Sequence, residues 1–278
     1  MWQSKYPKPK TPVELLKQGC ERPWEVAVKP FRLAPHVYYV GNSWVGGFLI
    51  KTREGLILVD TTMHHQVYLI FESIRQLGFD PKDIKIILIT HAHYDHLGAV
   101  RPIAEYSGAK VYMAKEDEFF ITERPELIFA NGLTFAPFEV DEYLADDKPV
   151  TLGEITIQTV HSPGHTPGAT SLFFDDRDDA GNTYRVGLHG GVGLGTVTDR
   201  YYELTGLPPS LRDDYLNGLL RLRDREVDIA LASHPDHIGM LDRADMEGDS
   251  FSAFCDPSAW GRFIDERVRL LKEMMGAN

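Results

Sequence analysis

Thr90-His91-Ala92-His93-Tyr94-Asp95-His96 follows directly on the apolar run Ile84-Lys85-Ile86-Ile87-Leu88-Ile89, and together they decide the reading of the whole chain. Three imidazoles and a carboxylate from His91 to His96 are poor packing material, because a core excludes charge and a solvated turn gains nothing from them. The β-branched run after Asp80-Pro81 reads as a buried strand, so the histidines fall where the chain leaves a sheet. On an extended backbone His91 and His93 point the same way, whereas Asp95 and His96 open the next turn and face a second point. One short segment can therefore feed two neighbouring cations. Imidazole with carboxylate, and no thiolate, suits zinc first, with iron or manganese possible.

Upstream, Leu56-Ile57-Leu58-Val59-Asp60 reads as a strand, and Val67, Ile70, Phe71, Ile74 and Leu77 form one face of a helix stopped by Gly78. Strand, helix, then Ile84 to Ile89 predicts a parallel crossover whose ligands collect at the carboxyl ends, where Asp60 and His91 lie. Val37-Tyr38-Tyr39-Val40 and Phe48-Leu49-Ile50 flank a glycine-rich turn with Trp44 at its tip, placed either to roof a pocket or to fold back on its own hairpin. Downstream come a helix over Leu97 to Tyr106 and a strand over Ala109 to Met113. Residues 116–148 are acidic and aromatic and read as a candidate substrate loop, whose rings either line a site or anchor the excursion to the core.

Two later strands repeat the opening theme. Ile155 to Val160 runs into His161-Ser162-Pro163-Gly164-His165, and Val227 to Ser233 runs into His234-Pro235-Asp236-His237. A lone histidine at a strand end is usually structural, but beside the first cluster His165 and His234 read as completing its coordination. Thr170 to Phe174 and Tyr184 to Leu188 predict a hairpin. The run Gly190-Gly191-Val192-Gly193-Leu194-Gly195 resembles a phosphate-binding loop only superficially, since no GK[ST] ending follows. The closing helix has Asp256 as its expected N-cap, Pro257 at its first position and a stripe through Trp260, Phe263, Ile264 and Leu271.

The 278 residues carry a net charge of -12, which repels phosphate backbones and anionic lipid, so a small-molecule substrate is expected and neither nucleic acid nor membrane. No apolar h-region follows Met1, and two cysteines, Cys20 and Cys255, make no disulfide framework; both point to a cytoplasmic protein. No low-complexity linker divides the chain. The expected architecture is α/β: two mixed sheets packed face to face with helices outside, an αββα sandwich forming one domain over 1–278 with residues 1–36 as an N-terminal arm.

The ordered set His91-x-His93-x-Asp95-His96, His165 and His234 resembles the metallo-β-lactamase superfamily from about Val37 to the C-terminal helix, and most resembles subclass B3 metallo-β-lactamases. The resemblance implies that His91, His93 and His165 hold one Zn2+ and Asp95, His96 and His234 a second, with Asp60 orienting the ligand loop. It implies a dinuclear zinc hydrolase that opens an amide or ester bond with water activated by the metal pair, a β-lactam-type ring above all. Asp95 would ligate and orient, and His189 and His237 are the histidines expected to contact substrate. His64, His65 and His161 are expected to be surface or supporting residues. Gly191 and Gly193 stand where B3 enzymes have serines near the substrate carboxylate, and Gly191 stands where lactonases have a bridging aspartate. The disulfide of some B3 enzymes would need a cysteine near Val227. Rival readings are another lactone, thioester or amide hydrolase on the same scaffold, and an iron-dependent oxidoreductase.

Overall fold

Central strands that are apolar at nearly every position belong in sheets buried on both faces, and they are so placed in the computed structural model, which describes residues 11–244 and 248–276. Residues 1–10 of the expected arm lie outside that range. The first sheet has the spatial order β1 (Phe31–Ala34), β2 (Val37–Tyr39), β3 (Phe48–Thr52), β4 (Gly55–Val59), β5 (Ile84–Leu88), β6 (Lys110–Ala114) and β7 (Glu142–Leu144). It is antiparallel from β1 to β4 and parallel from β4 to β7. The second contains β8 (Val150–Leu152), β9 (Ile155–His161), β10 (Thr170–Arg177), β11 (Thr183–His189) and β12 (Ile229–Ala232), with β11 and β12 its parallel pair.

The period-2 alternation of side chains sorts these strands into layers. Phe48, Ile50, Ile57, Val59, Ile86 and Leu88 meet Ile157, Leu172, Phe174 and Leu188 of the other sheet in the inner core. Their neighbours Leu49, Leu56, Leu58 and Ile87 face outward, into a core shared with α1 (Pro12–Glu21), α2 (Val67–Gln76), α3 (Tyr94–Leu97), α4 (Val100–Ser107) and α5 (Glu118–Thr122). Behind the second sheet, Phe173 packs with α6 (Asp199–Thr205), α7 (Leu211–Arg223) and α8 (Ala259–Met274). The result is the expected order of helix, sheet, sheet, helix.

The parallel pairs aim their carboxyl ends at one rim. Thr170 N donates to Thr90 O (2.9 Å) and Gly46 N to Ser233 O (2.8 Å), tying the two sheets together there. Helix α1 closes one side of that rim. It starts on a capping box, in which Thr11 and Glu14 satisfy each other's backbone N–H groups, and its Leu16 and Cys20 dock on the outer core.

Three details differ from expectation. The 116–148 segment holds α5 and β7, and β7 extends the first sheet, with Val111 N donating to Asp141 Oδ2. Helix α8 starts at Ala259 after Ser258 as its N-cap, because Asp256 accepts from Ser258 N and Oγ and so caps a turn before the helix. Helices α6 and α7 went unread. The inward residues Leu211, Tyr215, Leu219 and Leu222 keep helical spacing, but Arg and Asp dilute the stripe. No helix among the described residues is long and apolar enough to cross a membrane.

Candidate metal centre

Each functional side chain sits just past a strand that the core holds in place. Asp60 follows β4 in a left-handed conformation (φ 57°), which a non-glycine residue adopts only when its surroundings compensate. The compensation is visible: the fully buried carboxylate accepts from Thr90 N (2.9 Å), Thr90 Oγ1 (2.8 Å) and His96 Nδ1 (2.8 Å). Thr90 Oγ1 also lies 3.0 Å from His91 Nδ1. Since the hydroxyl has one proton and gives it to Asp60, His91 Nδ1–H donates to the hydroxyl. One carboxylate thereby orients His96 directly and His91 through Thr90.

The expected ligands come together as two triads, His91/His93/His165 and Asp95/His96/His234, the ligand atoms within each lying within 4.8 Å of one another. His165 Nδ1 donates to Gly193 O (2.7 Å) and His234 Nδ1 to Trp44 O (2.7 Å). With those nitrogens engaged, the Nε2 atoms are left facing inward. His91 Nε2 and His93 Nε2 are buried with no hydrogen-bond partner. His96 Nε2 and His234 Nε2 stand 3.3 Å apart, each 3.5 Å from Asp95 Oδ2. Buried acceptors left unpaired are costly, and a shared cation satisfies all of them. The donor set therefore fits a pair of divalent ions of the zinc type.

The electrostatics agree. Burial pushes His91 and His93 well below the ordinary histidine value and His165 down to about 3, so all three are neutral imidazoles ready to ligate. Burial also lowers His234. On His96 burial acts the same way, but the Asp95 and Asp60 carboxylates outweigh it and hold the group above its usual value.

Asp117, in the turn after β6, was not singled out from the sequence. It is fully buried and accepts from Ala92 N (2.8 Å), Thr166 Oγ1 (2.7 Å) and Gly168 N (2.6 Å). It thus fastens the loop bearing His91 and His93 to the loop bearing His165. In sequence it lies within Lys115-Glu116-Asp117-Glu118, which reads as a solvated charge cluster. His161 supports the same loop, its Nε2 donating to Pro167 O (2.7 Å). The glycine run acquires a meaning too. A Cβ on Gly191 (φ +78°) would stand 2.9 Å from His165 Cβ, and one on Gly193 would stand 3.1 Å from His165 Cε1, so the backbone must pass close to this ligand.

A cavity of about 380 Å3 opens beside the triads. His93, Asp95, His165 and His234 face it, and so does His237. Arg267 donates to His237 Nδ1 (2.8 Å), which fixes the neutral ring with its proton on Nε2, and burial pushes the group down to about 4. The expectation for His189 is corrected. Its ring is fully buried at the end of β11 against Tyr215, Trp260 and Phe263 and does not line the cavity, because Val186 and Leu188 of that strand point into the inner core and the alternate position, His189, points into the α7/α8 layer. Trp44 lines the cavity, and the 116–148 segment divides: Phe129 and Asn131 face it, while Phe120 and Phe138 are buried in the outer core. Both cysteines are free.

The family description "Metallo-beta-lactamase superfamily" matches residues 47–180. Among solved structures, the metallo-β-lactamase GOB-18 from Elizabethkingia meningoseptica superposes with a TM-score of 0.82 at 28% identity over 99% of both chains. A β-lactamase from Chitinophaga pinensis gives 0.80 at 30% identity, covering 92% of this chain and 97% of its own. BJP-1, a subclass B3 metallo-β-lactamase of Bradyrhizobium japonicum, gives 0.79 at 27% identity over 92% and 96%. Hydroxyacylglutathione hydrolase GloC of Haemophilus influenzae is 30% identical over 40% of this chain, which spans about half (53%) of that relative's length. The chain belongs to the metallo-β-lactamase superfamily and is a metallo-hydrolase of that superfamily.

Proposed function

We propose that this superfamily member, folded as one metallo-hydrolase domain, is a dinuclear zinc hydrolase that opens an amide or ester bond, with a β-lactam-type ring as the substrate that best matches its B3 neighbours. One observation carries the reading: two triads form, with His91 Nε2 and His93 Nε2 buried and unpaired and His96 Nε2 and His234 Nε2 only 3.3 Å apart. His91, His93 and His165 would hold one Zn2+, and Asp95, His96 and His234 the other. Zinc bound there supplies Lewis acidity toward a carbonyl and lowers the pKa of coordinated water to roughly 7.

The chain's own residues supply the rest. Asp60 keeps Nε2 of His96 and, through Thr90, of His91 as the ligating atoms. Asp95 ligates and orients. His237, locked by Arg267 with its proton on Nε2, offers a neutral N–H donor at the cavity. Trp44 and Phe129 give the cavity apolar walls.

A second reading, hydrolysis of a thioester or lactone on the same residues, is favoured by the similarity to GloC; the missing serines at 191 and 193 count against the β-lactam ring, and the missing aspartate at 191 counts against the lactone. Metal analysis combined with turnover of nitrocefin, a lactone and a thioester tests both. Bound zinc with ring opening lost in His91→Ala supports the first reading. Equimolar iron with visible absorbance would point instead to an oxidoreductase, and full activity of metal-free His91→Ala would refute the metal assignment.

A further inference from the structure

Asn42 and Gln66 are amides almost wholly removed from water, at 2% and 1% exposure, and such groups persist in a core only where their hydrogen bonds are met. Theirs are met in a single chain of bonds that leads to a metal ligand. Gln66 Nε2 donates to Gly19 O of α1 (2.9 Å), and Asn42 Nδ2 donates to Gln66 Oε1 (2.7 Å). Asn42 Oδ1 in turn accepts from Trp44 N (2.7 Å) and Val45 N (2.8 Å), an Asx turn. The peptide joining Trp44 to Val45 is trans, so its N–H and C=O point opposite ways. Holding Val45 N–H on Asn42 therefore aims Trp44 O at His234, whose Nδ1 donates to it (2.7 Å). The Trp44 ring also packs against the His234 ring, their centroids 5.3 Å apart. The surroundings leave no slack: a Cβ on Gly46 would stand 2.9 Å from Ser233 O, and one on Gly19 would stand 2.9 Å from the Gln66 amide.

Resting on the zinc reading above, we propose that Asn42 is a positioning residue for the mixed triad. Through the peptide after Trp44 it fixes the His234 ring with its proton on Nδ1, which leaves Nε2 to ligate. Gln66 ties that arrangement to α1. An amide and a peptide thus do for His234 what the Asp60 carboxylate does for His96. The three-histidine triad is held elsewhere, His91 by the Thr90 hydroxyl and His165 by Gly193 O.

Zinc titration of metal-free protein against a chelating indicator tests this one triad at a time. In His165→Ala protein, which keeps the mixed triad whole, adding Asn42→Ala should weaken zinc binding about tenfold or more. Asn42→Ser, whose hydroxyl can still accept from the turn, should stay within about threefold of that parent. Gln66→Leu, which breaks the tie to α1 and keeps the turn, should fall between the two. In His234→Ala protein, which keeps the three-histidine triad whole, Asn42→Ala should leave zinc affinity unchanged, a selectivity that general loosening of the fold does not produce. Should Asn42→Ala not fold, the order of parent, Asn42→Ser and Gln66→Leu in the two backgrounds carries the test. Equal weakening in both backgrounds, or none where the mixed triad stands alone, overturns the proposal and leaves the zinc reading standing. If His165→Ala protein with Asn42 intact binds no zinc, both fall.

Discussion

The two triads share a floor but are held in opposite ways. His91, His93 and His165 are neutral and buried, His91 backed by the Thr90 hydroxyl and His165 by the Gly193 carbonyl, and Asp117 fastens their loops through the Ala92 and Gly168 N–H groups and the Thr166 hydroxyl. Asp95, His96 and His234 contain a charge of their own, and His96 is backed directly by a second carboxylate. The difference teaches that buried carboxylates serve two distinct purposes at this rim. Asp60 sets which nitrogen points inward, and Asp117 sets how far apart two loops stand.

The largest effect is expected from Asp60→Ala. It orphans Thr90 N–H, the Thr90 hydroxyl and His96 Nδ1 in a buried site and should cost about 3 to 5 kcal/mol. Zinc affinity at the mixed triad should fall about 10- to 100-fold, as read by equilibrium dialysis. Equal loss at both triads would erase the distinction drawn between them.

Asp117→Ala should cost about 2 to 4 kcal/mol, and the three-histidine triad should lose its ion first, as read from Co2+ absorption spectra. A pH series sharpens the point. Burial raises Asp117 to about 6, above the ordinary aspartate value near ~3.9. Its contribution is therefore complete below about 4 and is lost as pH rises through about 6. In metal-free protein, the stability gap between wild type and Asp117→Asn should shrink from pH 4 to pH 7 in urea titrations. A gap that widens contradicts the burial argument.

Gly191→Ser places a Cβ against His165 at a positive φ and should weaken the three-histidine triad about tenfold. Gly195→Ser, where a Cβ meets nothing within 4 Å, should leave metal affinity unchanged. The smallest contrast is acid release. The raised His96 attracts a proton before the lowered His91, His93 and His165 do, so the mixed triad should give up its ion at the higher pH during acid dialysis.

Much of this was legible in the sequence because the ligands follow strands with strong apolar signatures. Ile84 to Ile89 placed His91 to His96 at a rim, and Asp60 followed from the parallel crossover. Less could be read where tertiary placement alone decides. Asp117 is indistinguishable from Glu116 and Glu118 until the fold buries it, and His189 ends a strand as His165 and His234 nearly do, yet its side chain falls on the helix-facing side. Helix α7 hid behind its arginines and aspartates, since a stripe of five buried residues in thirteen, one of them glycine, gives little contrast.

The central claim is two ions on two separately built triads, and zinc stoichiometry per chain tests it most directly. Wild type should bind two equivalents, while His165→Ala and His234→Ala should each retain about one, with different Co2+ spectra. A single equivalent in wild type, or two in either variant, would contradict it.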